Sequence, residues 1–207
     1  MLHNIICKQI IIHILRNKKI LFNEKFKMLT NKLYNPSLDC PLLLERLSCK
    51  KLCHKYNNLS PDKVRKRSHI LNQILGKTGK VFLIEQPFMC DYGYNIEIGE
   101  NFGSNHNLLI LDSAKVVFGD NVMVGPNCSF ITTKHPSSSE ERKTGIQWAE
   151  PIIVHNNAWI CSNVTVLAGV TIGENSIIGA GSVVTKDIPP NTFAVGIPCE
   201  AVRELHC

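Results

Sequence analysis

Residues 152–188 read IIVHNNAWICSNVTVLAGVTIGENSIIGAGSVVTKDI, and an apolar residue recurs in them at every sixth position: Val154, Ile160, Val166, Ile172, Ile178 and Val184. Two positions before each stands a second small or apolar residue, namely Ile152, Ala158, Val164, Val170, Ser176 and Ser182. A helix repeats near 3.6 residues and a strand near 2, so neither accounts for six. A six-residue period is the signature of a β-solenoid, in which each repeat supplies one short strand and one corner. Three repeats close a triangular coil, and stacked coils bury a column that no single repeat can bury. An antiparallel β-domain with regular turns is the competing fold, and six anchors in unbroken register count against it.

The register extends upstream. Phe118, Val124 and Phe130 are six apart, and Phe118 precedes Val154 by 36 residues, a whole number of repeats. Gly99-Glu100-Asn101, Gly119-Asp120-Asn121 and Gly173-Glu174-Asn175 recur as corner triplets, with His155-Asn156-Asn157 in the equivalent place. Glycine and asparagine tolerate the positive backbone angles that sharp corners need. Ile110 and Phe118 are eight apart, so two residues bulge out between them. A larger interruption runs from Thr132 to Glu150.

With 207 residues the chain has room for one sizeable domain and a small appendage. Its formal charge of +6 looks like a nucleic-acid signal until it is located. Residues 1–28 carry most of the excess, in Lys8, Arg16, Lys18, Lys19, Lys25 and Lys27 against Glu24 alone, so no basic core for nucleic acid is supported. None of the nine cysteines forms a CxxC pair. Cys49, Cys53 and His54 approach a metal pattern that no second pair completes, so they read as buried thiols in a reducing cytosol and no metal is expected.

Three segments follow. Residues 1–22 are apolar and basic but too interrupted to span a bilayer, and no small-residue cleavage site follows them. A membrane-surface helix, a weak transit peptide and a functionless extension all fit, the last best. Residues 23–80 are helical: Leu43, Leu44, Leu47 and Leu52 keep helical spacing between Leu42 and Tyr56. Ser60-Pro61-Asp62 then announces a second helix with Ser60 as N-cap, a stripe of Val64, Leu71, Ile74 and Leu75, and Gly76 as its end. Residues 81–207 are the coils, starting at Val81-Phe82-Leu83-Ile84.

Loops that interrupt a strict repeat carry function. In the interruption stands Thr132-Thr133-Lys134-His135-Pro136. A histidine with a near-neutral pKa can take a proton from a hydroxyl, although from sequence alone a loop histidine is more often solvated than catalytic.

The repeats, Asp91-Tyr92-Gly93, Asn95-Ile96, the Thr-Lys-His-Pro segment, Asn157-Ala158-Trp159-Ile160 and the run from Gly179 to Pro189 together resemble the maltose and galactoside O-acetyltransferases, which are hexapeptide-repeat acyltransferases. Leu33-Tyr34 and Tyr56-Asn57 extend the resemblance into the helical segment. It implies a mainly β chain, a left-handed parallel β-helix preceded by a small α-helical segment, an exception to the usual right-handed crossover. It also implies a cytoplasmic homotrimer with active sites between subunits, acetyl-coenzyme A as co-substrate and a mono- or disaccharide as acceptor.

Residue by residue, the resemblance makes His135 the general base for a 6-hydroxyl that attacks the thioester directly. Asn105, Asp91, Asp112 and Ser113 fall at or beside acceptor positions, with Ser113 where an acid is common. Ser162 falls beside the thioester, Ala180 on the pantetheine arm, and Thr185, Lys186 and Arg203 at the nucleotide end, with Trp159 walling the channel. Glu200 replaces a second basic residue, and Asp39 is the nearest candidate for an acceptor-side acid. A xenobiotic or serine acetyltransferase, a β-helical metalloenzyme with three converging histidines and a non-catalytic scaffold are the competing readings. His106 and His155 lack the spacing that the metalloenzyme needs.

Overall fold

A computed structural model describes residues 24–206, and the segment 1–22 lies outside the described residues. From Phe82 onward the chain winds as a parallel β-helix whose strands stack into three faces. The first face holds Phe82–Ile84, Phe102–Ser104, Met123–Val124, Trp159–Ile160 and Ile177–Ile178, and it is finished by the hairpin Thr192–Gly196 and Cys199–Glu204. The second holds Phe88–Cys90, Leu108–Leu111, Ser129–Ile131, Thr165–Leu167 and Val183–Val184. The third holds Ile96–Ile98, Val116–Phe118, Ile152–Val154 and Thr171–Ile172.

The six-residue register does what the sequence predicts. Val154, Ile160, Val166, Ile172, Ile178 and Val184 are all buried, as are the six residues two positions before them. The register also stacks them in the order of whole coils: Phe118 pairs with Val154, and Val154 with Ile172. Phe102, Phe118 and Phe130 fill the wider coils, with ring centroids 5.0 and 4.9 Å apart. At the corner between the third and first faces, Asn101, Asn121, Asn157, Asn175 and Asn191 all adopt positive φ. Their side chains form a ladder, each amide donating to the next at 2.8–3.1 Å. The ladder satisfies polar groups that the turn would otherwise leave to water alone.

Helices α1 (Glu24–Leu29), α2 (Cys40–Asn57) and α3 (Val64–Ile74) precede the coils. Two sequence expectations about them are corrected. On α2 the buried residues are Leu42, Cys49, Cys53 and Tyr56, whereas Leu44 and Leu47 face outward. Small thiols let the helix approach the strand Phe88–Cys90 more closely than leucines would. On α3, Ser60 does not cap: its hydroxyl donates to Asp62, the helix starts at Val64, and Val64 is exposed. The rest of the expected stripe, Leu71, Ile74 and Leu75, is buried, and Arg67 and Ile70 join it.

The interruption after Thr132 is a built structure. Thr133–Lys134 pairs antiparallel with Trp148–Ala149, and α4 (Ser139–Lys143) lies between them, capped by Ser138. Tyr34 bridges to Gln147 through two backbone hydrogen bonds of 2.9 Å, and Asn35 Nδ2 donates to Thr144 O at 2.6 Å. The loop and the helical segment are therefore tied to one another.

Candidate active site

The predicted residues divide between two corners of the prism. At the corner after the second face, the bulge at Asp112 and Ser113 meets the turn that follows Cys90. Asp112 Oδ1 accepts from the N–H groups of Asp91 and Tyr92 at 3.0 and 2.9 Å, and its Oδ2 from Gly93 at 2.6 Å. Burial pushes its pKa up to about 7, although these backbone donors pull the other way. Asp112 is wholly buried with both oxygens engaged, so the expectation of an acceptor contact is corrected. It shapes the turn that presents Asp91.

Asp91 itself is one-tenth exposed and receives Arg46 Nε from α2 at 2.7 Å. Ser113 Oγ accepts from Thr133 Oγ1 at 3.2 Å, and the Ser113 side chain also reaches Tyr34. Burial raises the Tyr34 phenol, so it stays a neutral donor and acceptor there. Gln147 Nε2 donates to the Tyr34 hydroxyl from the far strand of the loop.

His135 follows Thr133–Lys134 on the same side. Its imidazole is exposed and hydrogen-bonds to no other described residue. Its backbone is held on both sides. Before it, Lys134 pairs with Glu150 at 2.6 Å, which keeps that carboxyl below its ordinary value. After it, Pro136 is buried and its carbonyl accepts from Arg142 Nη1 at 2.9 Å.

The corner between the first and second faces carries the other set. Asn105, Ser162 and Ala180 follow Phe102–Ser104, Trp159–Ile160 and Ile177–Ile178, with the coil of Met123–Val124 between the first two. A surface cavity of about 500 Å³ there is lined by Asn105, His106, Met123, Gly125 and Trp159. Trp159 is exposed on the outer surface rather than buried in the core. Gly125 allows the next coil to lie close, since a Cβ on it would meet Ser162 N at 2.7 Å.

Thr185 and Lys186 stand after Val183–Val184, on the His135 side of the second face. Lys186 Nζ lies 3.9 Å from Glu200 Oε1, and Arg203 covers the Phe193 ring at 5.3 Å on the terminal hairpin. Asp39 does not face an acceptor: it is buried and caps α2 by accepting from Leu42 N at 3.1 Å.

Sequence reasoning missed Tyr34, Arg46, Thr133 and Gln147 as members of the Asp91 cluster. Arg46 reads as one more charge on an exposed helix face, and only the fold brings it to Asp91. Tyr34 was visible as part of the Leu33-Tyr34 match but had no assigned role. The structure also gathers Cys49, Cys53 and Cys90, which no spacing connects.

Comparison with known proteins agrees with this architecture. Residues 27–79 match the model of the maltose acetyltransferase hexapeptide capping motif, and residues 151–186 match six bacterial transferase hexapeptide repeats. The galactoside O-acetyltransferase of Escherichia coli is 45% identical over 162 residues, 78% of this chain and 80% of that protein. The crystal structure of a maltose O-acetyltransferase from Clostridium difficile 630 superposes with a TM-score of 0.87 at 47% identity, covering 88% of this chain and 97% of that one. A galactoside acetyltransferase solved in complex with coenzyme A gives a TM-score of 0.85 at 42% identity, covering 88% and 91%. With the capping segment, the repeats and the coil geometry all shared, the chain belongs to the maltose and galactoside O-acetyltransferase family of hexapeptide-repeat acyltransferases.

Proposed function

We propose that the protein transfers the acetyl group of acetyl-coenzyme A to the 6-hydroxyl of a mono- or disaccharide. His135 takes the hydroxyl proton as the sugar oxygen attacks the thioester carbon. The same imidazolium then returns a proton to the departing thiolate, so no acyl-enzyme forms and no cysteine is consumed. Asp91, oriented by Arg46, accepts hydrogen bonds from sugar hydroxyls, and Ser113 completes that side. Asn105 faces the acceptor and the imidazole. Ser162 supplies a donor to the developing oxyanion. Ala180 and Trp159 line the pantetheine arm, and Thr185, Lys186 and Arg203 serve the nucleotide end.

One observation carries this reading further than the residue types do. Asn105 and Ser162 lie at one edge of the second face, and His135 and Asp91 at the other. The strand Leu108–Leu111 between them spans ~13 Å at the usual rise per residue. On this reading the two sets meet across a subunit boundary, each edge meeting its neighbour's opposite edge in a ring of three chains. The outward column on the first face supports it: Leu83, Met123 and Trp159 are exposed apolar side chains in register, a surface that favours cover. We place such a homotrimer in the cytoplasm, with no nucleic-acid or membrane partner. Among the described residues no helix is long and apolar enough to cross a membrane.

The test is release of free coenzyme A thiol from acetyl-coenzyme A with a panel of sugars. His135→Ala should lose about 10²- to 10⁴-fold in kcat with little change in either KM. Thiol release that is unchanged in that variant, or absent with every hydroxyl acceptor, overturns the assignment.

A further inference from the structure

Cys49 and Cys53 lie one turn apart on α2, and both face Cys90 at the end of the strand Phe88–Cys90. The Cys49 and Cys90 sulfurs are 3.4 Å apart, and the Cys53 and Cys90 sulfurs 3.7 Å. All three lie within 4.8 Å of one another, and each residue is only 4% exposed. An ion bound at an ordinary metal–thiolate length of ~2.3 Å sits among three sulfurs that are ~3.7–4.0 Å apart. The observed edges of 3.4 and 3.7 Å, with the third within 4.8 Å, lie close to that size.

Charge selects the ligand. Among the described residues no fourth His, Cys, Asp or Glu completes the set. Three thiolates around a monovalent or divalent cation leave a net negative complex in a buried site, which is costly. A divalent zinc ion also wants a fourth ligand. A trivalent centre with three thiolates is neutral and three-coordinate, and so meets both conditions.

We infer that Cys49, Cys53 and Cys90 form a three-thiolate site for a trivalent thiophilic metalloid, with arsenite as its probe. Binding needs no oxidant. Neutral arsenous acid exchanges its three As–O bonds for three As–S bonds, and each thiol proton leaves with a hydroxide as water. A route exists, because a cavity of about 410 Å³ between the helices and the first coil is lined by Cys49 together with Ser48, Ile74 and Tyr94. Occupancy would fasten α2 to the coil next to Asp91, and so couple the metalloid to the acceptor side.

The full chain, reduced with a phosphine and freed of metals, is titrated with sodium arsenite. Native mass spectrometry should show one added arsenic less three hydrogens per chain, and arsenic X-ray absorption should show three sulfur neighbours and no oxygen. Cys53→Ala and Cys90→Ser should each weaken binding by at least about a hundredfold, since losing one arm removes its share of the chelate's effective concentration. Cys40→Ser should bind as the parent does. Melting without arsenite checks the fold of each variant, and Cys53→Ala keeps the question open should Cys90→Ser not fold. Unchanged binding by Cys53→Ala, an arsenic site with an oxygen neighbour, or no mass gain in tenfold excess overturns the inference. All of these readouts are independent of acetyl transfer.

Discussion

Arg46 Nε donates to Asp91 Oδ1 at 2.7 Å, joining the helical segment to the first coil. Arg46 is 40% exposed along its side chain, so the pair adds only ~0.2–1 kcal/mol to stability. Its effect on Asp91 orientation is the larger consequence. Arg46→Met should raise the KM for the sugar by about tenfold, or ~1.4 kcal/mol of acceptor binding. The KM for acetyl-coenzyme A and the melting temperature should barely move. Equal changes in both KM values would show that Arg46 does not act through the acceptor.

Asp112 predicts a pH dependence of stability. An aspartate ordinarily titrates near 3.9, and this one is pushed up to about 7 by burial. Between those values the folded chain holds a proton that the unfolded chain has released. Its contribution is therefore fully present below pH ~4 and is lost as pH rises through about 7. Asp112→Asn removes that slope, and it also replaces an oxygen that accepts backbone N–H groups with an amide donor. The variant should be less stable by ~1–3 kcal/mol, and the gap to the parent should narrow between pH 5 and pH 8. Denaturant melts across that range measure it, and a gap that widens with pH would refute the account.

Lys186 and Glu200 are both largely exposed, at 77% and 63%, with 3.9 Å between Nζ and Oε1. The phosphate contact proposed for Lys186 gains nothing from this acidic neighbour. Glu200→Arg should lower the KM for acetyl-coenzyme A several-fold at low ionic strength. That advantage should shrink near 0.5 M salt, where screening lengths fall to a few ångströms. A salt-independent effect would place the residue outside the nucleotide's field.

Gly76 separates what the sequence makes legible from what it hides. It reads as a helix terminator, and α3 does end just before it. The stronger reason for a glycine is spatial: a Cβ there would meet Tyr94 O at 2.2 Å. Gly76→Ala should therefore destabilise the chain by ~1–3 kcal/mol or more, as overpacking against backbone does. Thermal or urea melts will show it, and an unchanged midpoint would leave only the terminator role. The same division holds more widely. The coils were readable because Val154 and its successors repeat along one chain direction, and the loop 132–150 because it breaks that repeat; the role of His135 came from the family resemblance. Arg46 with Asp91, and Cys49 with Cys90, lie 45 and 41 residues apart and meet only through docking of α2 on the coil. No local period encodes that docking, and the outward leucines of α2 point away from it.

The division of the site between two edges yields the sharpest test. His135→Ala and Asn105→Ala should each be inactive alone, for different reasons. In the proposed ring of three, each site takes its imidazole from one chain and its asparagine from the next. Every mixed ring then contains one site built from the two intact residues. Random mixing of equal amounts should restore about one quarter of parental activity. Were His135 and Asn105 of one chain to serve the same site, no mixed ring would hold a complete pair and mixing would restore nothing. Co-expression with two affinity tags, followed by tandem purification, isolates the mixed rings and raises the expected value to about one third. Activity below a few per cent in rings confirmed as mixed by mass would place both residues in a single chain's site.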